Sequence, residues 1–245
     1  MAEYPFPTEK DLKAVDLSWS RYLLPPIHPE GGKILGVLFL GVLLIGLFAS
    51  YIWYLGLPLL VFTFYFFRNP PRVTPPGDNL IIAPADGIVS NIKPVVPAKE
   101  LGLGDKPLTR VSIFMSVFSV HVNRAPVSGS VAALRYRPGK FVSVADKDSE
   151  DNERMEIVIE TPKRIKIGFA QIAGLVARRI YCPLHKGDKL RAGQVFGMIR
   201  FGSRLDVYLP RGVHPSVRLG QISVAGETIL ADMSVKPTPK GRTKQ

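Results

Sequence analysis

A chain of 245 residues, with 46% hydrophobic residues and a net charge of +12, is long enough for one or two domains with a real core, and its charge calls for an anionic partner, a lipid surface or a nucleic acid. Cys182 is the only cysteine, which excludes an internal disulfide and any zinc site built from several cysteines. His28, His121, His185 and His214 are scattered, and the Cys182-x-x-His185 pair has no second ligand cluster beside it, so no metal is expected.

Residues 1–33 are polar and broken by Pro5, Pro7, Pro25, Pro26 and Pro29. A short amphipathic piece and irregular chain are expected there, and not a signal peptide, because the apolar run starts too late and lacks a basic region before it. Residues 34–67 then carry no Asp, Glu, Lys, Arg or His. As one helix this run would reach ~51 Å, well beyond a hydrocarbon core of ~30 Å. A break between Ser50 and Pro58, at Gly56-Leu57-Pro58, turns it into a membrane-embedded helical hairpin with both ends on one side. Arg68 and Arg72 at its exit favour the cytoplasmic side of the cell membrane. A single span from Ile34 to Tyr54, followed by an interfacial stretch, would instead separate the ends; Tyr51, Trp53 and Tyr54 suit an interface either way. A buried soluble helix pair would carry a polar face, which this run lacks.

Residues 68–79 hold four prolines and read as a stiff linker. Residues 80–235 follow a different pattern. Strands are expected at Thr109–Met115, where Val111, Ile113 and Met115 share a face, and at Met155–Ile159 and Ile165–Ile172. Val176–Tyr181, Val195–Phe201 and Leu205–Leu209 are further expected strands. No long segment of helical period separates them, so the fold class is mainly β, an antiparallel sandwich or open barrel of short strands behind the N-terminal helical hairpin. Residues 186–194 look like the Gly-Asp turn of lipoyl-type barrels without its carrier lysine, which makes them architecture. Residues 236–245 are basic and patternless, a disordered tail suited to an anionic surface.

Four short pieces could carry chemistry. Asp86, in Pro84-Ala85-Asp86-Gly87, reads on its own as turn chemistry. His121, in His121-Val122-Asn123-Arg124-Ala125-Pro126, reads as a structural histidine, and Asn152-Glu153-Arg154 as an ion pair on a strand edge. Gly202-Ser203, within Phe201-Gly202-Ser203-Arg204, reads as a turn or a weakened strand. Together, the Asp86, His121 and Ser203 motifs and the apolar hairpin before them resemble, in order and spacing, the short form of the phosphatidylserine decarboxylase proenzymes, from the apolar segment to about Pro210.

The resemblance implies a pyruvoyl enzyme that cleaves itself at Gly202-Ser203 into 1–202 and 203–245, two fragments that stay partners. Ser203 Oγ attacks the Gly202 carbonyl, which a glycine leaves open; elimination and hydrolysis then leave a pyruvoyl group at 203, with no external cofactor. Its ketone condenses with the amine of phosphatidylserine in an anionic membrane, and the adjoining carbonyl takes up the electrons released with carbon dioxide, giving phosphatidylethanolamine. His121 is then the candidate for proton transfer, and Asp86 orients a base or activates Ser203. Longer members of the family carry a second histidine where Arg124 stands, and Gly-Ser-Thr where this chain has Gly202-Ser203-Arg204. Arg124 and Arg204 become candidate binders of the substrate phosphate or carboxylate, and the self-cleavage base stays open, as does a homo-oligomer. The rival readings are a non-catalytic membrane-tethered β-barrel adaptor for an anionic partner, a nucleic-acid-binding β domain, which lacks an aromatic-rich basic strand pair, and a metallopeptidase, which lacks a ligand set.

Overall fold

A computed structural model describes residues 23–139, 151–174, 180–200 and 203–235. Two helices lead, α1 (Pro29–Gly46) and α2 (Ile52–Phe66). Pro29 occupies the first turn of α1, where its missing N–H costs nothing, and the His28 ring accepts the Glu30 N–H at 3.3 Å. At this same end the His28 N–H donates to Phe67 O at 2.9 Å and the Asn69 N–H to Pro26 O at 2.6 Å, beside a bridge between Ile27 and Arg68. Both ends of the pair therefore meet at one foot, and the helices form a hairpin. Gly31 makes that closure possible, since a Cβ there would lie 2.1 Å from Phe67 Cβ.

The turn of the hairpin is at 47–51, earlier than expected, and α2 runs unbroken through Gly56-Leu57-Pro58. Gly56 serves packing instead: a Cβ there would lie 2.6 Å from Val42 Cγ1 on α1. Pro58 withdraws a single amide donor, whereas ending the helix among apolar side chains would strand several backbone groups. By length and composition α1 is the one described helix able to cross a membrane; at 1.5 Å per residue it spans ~27 Å. Leu40, Leu44, Leu55, Leu59 and Val61 face outward from the pair, and Phe48, beside the turn, is 92% exposed.

The rest is antiparallel β, as expected. The strands are β1 (Leu80–Ile82), β2 (Gly87–Val95), β3 (Leu108–Met115), β4 (Val122–Arg124), β5 (Gly129–Arg137), β6 (Arg154–Glu160), β7 (Lys166–Ala173), β8 (Ile180–Tyr181), β9 (Lys189–Leu190), β10 (Val195–Ile199), β11 (Ser203–Tyr208), β12 (Ile222–Ser223) and β13 (Ile229–Asp232). Eight form a curled sheet in the order β12-β2-β3-β11-β7-β6-β5-β9. The small sheets β4-β10-β8 and β1-β13 contribute to the core under its inner face. The alternation seen in the sequence has a direct outcome: Val111, Ile113 and Met115 of β3, Leu205 and Val207 of β11, and Ile167 and Phe169 of β7 point into one core, with Phe169 packed edge-on against Phe196 at 5.3 Å.

The opposite face of the same strands is also buried, and it is charged. Asp206 of β11 accepts from Arg204 Nε at 2.9 Å and Nη2 at 3.1 Å, and lies 3.5 Å from Arg110 Nη1 of β3. Asp206 is 0% exposed, Arg110 2% and Arg204 6%. A carboxylate between two buried guanidiniums holds the middle of the sheet together, because removing one member of such a group leaves charge without its counter-charge. Asp206→Ala is expected to destabilise the domain by about 3–5 kcal/mol, read as a lower urea midpoint, whereas Glu100→Ala at an exposed pair should move it by less than about 1 kcal/mol.

Candidate active site

Ser203 is the first residue of β11, just past the crossover by which the chain leaves β10 in a small sheet and enters the middle of the large one. Phe201 and Gly202 lie outside the described residues. Ser203 stands between Met115 of β3 and Ala173 of β7 and is fully buried. Its hydroxyl donates to Met115 Sδ at 3.4 Å; Asn123 Nδ2 approaches the same sulfur at 3.8 Å, and Asn123 Oδ1 accepts Gln171 Nε2 at 2.8 Å. Ser203, Asn123 and Gln171 thus form a buried polar chain around a weak thioether acceptor, and among the described residues Gln171 Oε1 has no hydrogen bond.

His121 lies in the connection from β3 to β4, and its carbonyl accepts the Ile199 N–H at 3.3 Å, which ties it to the end of β10. Nδ1 is 2.9 Å from Ser119 O. A carbonyl only accepts, so Nδ1 carries the proton and Nε2 presents its lone pair. Among the described residues Nε2 is buried with no hydrogen-bond partner, and the ring stacks on Phe66 of α2 at 4.0 Å and 27°. Burial pushes the imidazole pKa down to about 4, with the Ser119 bond opposing and the Arg68 charge assisting. Near neutral pH His121 is an uncharged ring with a free basic nitrogen.

Asp86 precedes β2 and accepts from Arg72 Nη2 at 2.7 Å and from the Ala225 N–H at 2.7 Å. Burial raises its pKa, and Arg72 opposes this. Gly87 has φ +156°, and a Cβ there would lie 2.1 Å from Phe114 O, so only glycine lets the chain turn into β2 at this point. Strand β3 stands between β2 and β11, which at usual strand spacing sets the backbones of Asp86 and Ser203 ~10 Å apart. No hydrogen bond is found between any two of Asp86, His121 and Ser203 among the described residues.

Arg124 donates to Gly193 O at 3.0 Å, Asn69 Oδ1 at 2.7 Å and Pro70 O at 3.0 Å, and burial lowers its pKa, the neighbouring Arg72 charge adding to the effect. The linker is therefore no free spacer: its Arg72 and Asn69 build the site, and the Val73 N–H donates to Glu227 at 2.9 Å. Arg204, by contrast, points to the outer face of the sheet onto Asp206, away from Ser203. Asn152-Glu153-Arg154 is not an edge pair either. It is buried where β6 meets β7, and Asn152 Nδ2 donates at 2.7 Å to the carbonyl of Ala173, the neighbour of Ser203.

The family model for phosphatidylserine decarboxylase matches residues 59–231, from inside α2 to β13. The chain belongs to the phosphatidylserine decarboxylase family. Three relatives carry the name phosphatidylserine decarboxylase proenzyme. That of Ruegeria pomeroyi is 55% identical over 86% of this chain and 96% of its own. That of Cereibacter sphaeroides is 53% identical over 86% and 91%, and that of Paramagnetospirillum magneticum 51% over 91% and 93%. The family expected from the weak motifs taken in order is thus the family found. Met115, Asn123 and Gln171 around Ser203, and Arg72 at Asp86, belong to the candidate site and were passed over in the sequence reading. Gln171 carries the one available signal, a polar residue in the core-facing register of an apolar strand.

A buried histidine held neutral makes stability depend on pH. The folded pKa lies below the unfolded value near 6.5, so the unfolded chain binds the extra proton between about pH 6.5 and 4, and stability falls as pH drops through that window. His121→Gln is expected to lose about 3 kcal/mol less than the parent across it, read from melting temperatures in detergent at each pH.

Proposed function

We propose that this chain is a pyruvoyl-dependent phosphatidylserine decarboxylase, made as a proenzyme and matured by its own Ser203. The observation that carries the reading is Ser203 itself, buried at the β10–β11 crossover to which the neutral His121 is also tied. In the maturation step Ser203 Oγ attacks the Gly202 carbonyl and the amide nitrogen leaves it, exchanging peptide for ester. Loss of the Ser203 α-proton then expels the Gly202 carboxylate and leaves a dehydroalanine. Water adds and ammonia departs, leaving a pyruvoyl group at 203. His121 Nε2, the lone pair free near this crossover, is the base we assign to proton removal, and Asp86, with its pKa raised by burial, assists from the far side of β3.

The residues present fit such a group. Among the described residues Asn123 Nδ2 has only a thioether to donate to, so a carbonyl at 203 gives it a better acceptor. Once formed, the group supplies the electron sink that decarboxylation requires. The chain's own contribution is to keep water out, through the fully buried β11 and Phe66, and to hold His121 neutral for proton return to the product carbon. Arg124 and Arg72, flanking Asp86, are the guanidiniums on this side of the sheet suited to the phosphate or carboxylate of the substrate. Arg204 serves the sheet, through Asp206.

After cleavage β11, β12 and β13 belong to the small fragment and remain paired with β3 and β7, β2 and β1 of the large one. The fragments therefore stay together without a covalent link. The hairpin holds this site at a membrane, and Arg68 and Arg72 at its foot favour the cytoplasmic face of the cell membrane.

Purified under denaturing conditions, the parent is expected as two pieces, 1–202 and 203–245, and Ser203→Ala as one uncleaved chain without activity on phosphatidylserine. A parent that stays intact and inert, as an adaptor would, contradicts the reading. Arg124→Gln should leave processing in place and raise KM for phosphatidylserine about tenfold or more, the size of one lost charge-assisted hydrogen bond.

A further inference from the structure

We propose that Phe118 is a membrane-contacting residue that couples the lipid surface to His121. The inference rests on the reading of the hairpin as membrane-embedded, and begins at the loop between β3 and β4. That loop is a tight polar turn: the Ser116 and Ser119 hydroxyls lie 3.2 Å apart, and Ser116 Oγ accepts the Phe118 N–H at 3.3 Å. On this turn Phe118 is 75% exposed. Nothing in the turn requires an aromatic side chain there, and what gives its exposure meaning is the apolar surface beside it.

Its position names the partner. Arg68 Nη2 donates to Phe118 O at 2.9 Å, and Arg68 is the residue that bridges Ile27 at the foot of the hairpin, with its guanidinium 5.7 Å from the Tyr65 ring centroid. Tyr65 in turn donates to Leu23 O at 3.3 Å, and Leu23 and Leu24 are 53% and 62% exposed. Phe118, Leu23 and Leu24 thus stand at the base of two outward-facing apolar helices, with arginine and tyrosine between them. With the hairpin in a bilayer, that level is the interface, where aromatic rings settle at the headgroups and arginine reaches water. The occupant of this surface is therefore lipid.

The same loop sets the catalytic histidine. Ser119, the next residue, supplies the carbonyl that fixes the His121 tautomer, and Phe66 of the hairpin stacks on its ring. Seating Phe118 in lipid orders the turn that presents this carbonyl, so that the imidazole is aligned when the enzyme sits on its substrate surface.

The test uses full-length enzyme carrying Phe118→Ser or Phe118→Trp. Each is compared on long-chain phosphatidylserine in vesicles and on short-chain phosphatidylserine dispersed as monomers. Phe118→Ser should process normally and retain turnover of the monomer, while its turnover on vesicles falls about tenfold, the effect of losing one buried aromatic contact. Phe118→Trp should restore turnover on vesicles, and its fluorescence change relative to parent should be quenched by brominated acyl chains. Equal turnover of parent and Phe118→Ser on vesicles, or no quenching at 118, overturns the proposal. Loss of processing or of monomer turnover in Phe118→Ser overturns it in favour of a purely structural loop. A parent inactive on both substrates contradicts the decarboxylase reading instead, and the quenching at 118 still decides this one.

Discussion

β11 is clamped along its whole length, from Ser203 to Tyr208, between β3 and β7. All six of its residues are buried. The inner face of the strand carries Ser203, Leu205 and Val207 into the core, and the outer face carries Arg204, Asp206 and Tyr208 into a second buried layer. A side chain at the first position of such a strand cannot wander, which is what the proposed role of Ser203 as nucleophile requires. The clamp also suits the proposed self-cleavage: β11 is held by ladders to β3 and β7 and by Asp206 between its two arginines.

The second constraint is dryness. His121 is neutral because burial disfavours its charged form, and Phe66 of α2 stacks on its ring. The hairpin is thus part of the packing around His121. Phe66, Phe67 and Met198 form a small apolar cluster that joins α2 to β10, and Arg200, two residues before Gly202, pairs with Glu30 of α1 at 3.0 Å. The helix pair and the end of β10 thus share their packing.

Much of this was legible in the sequence, for physical reasons that also mark where legibility ends. A charge-free run too long for one span reads as a hairpin, yet Gly56 and Pro58 mislead about its turn, because glycine at a close helix contact and glycine in a turn look alike in sequence. Alternation found β3, β6, β7 and β11 and separated their faces. It could not show that both faces are buried, and so Arg204, which the family resemblance made a candidate for binding substrate, lies on the far side from Ser203. The Asn152 cluster misled for the same reason. Arg72 reads as a charge flanking a membrane segment, and only the fold brings it to Asp86. Met115 and Asn123 sit in quoted stretches, but their meeting under Ser203 is tertiary and leaves no mark in spacing.

The central claim is that residue 203 ceases to be a serine. The most direct measurement treats the purified enzyme with a ketone-specific hydrazide, separates the chains and asks where the label sits. The account predicts label at the first residue of the 203–245 fragment, and none on a Ser203→Ala chain. A 203–245 fragment that begins with an ordinary serine, or that takes no label, would contradict it.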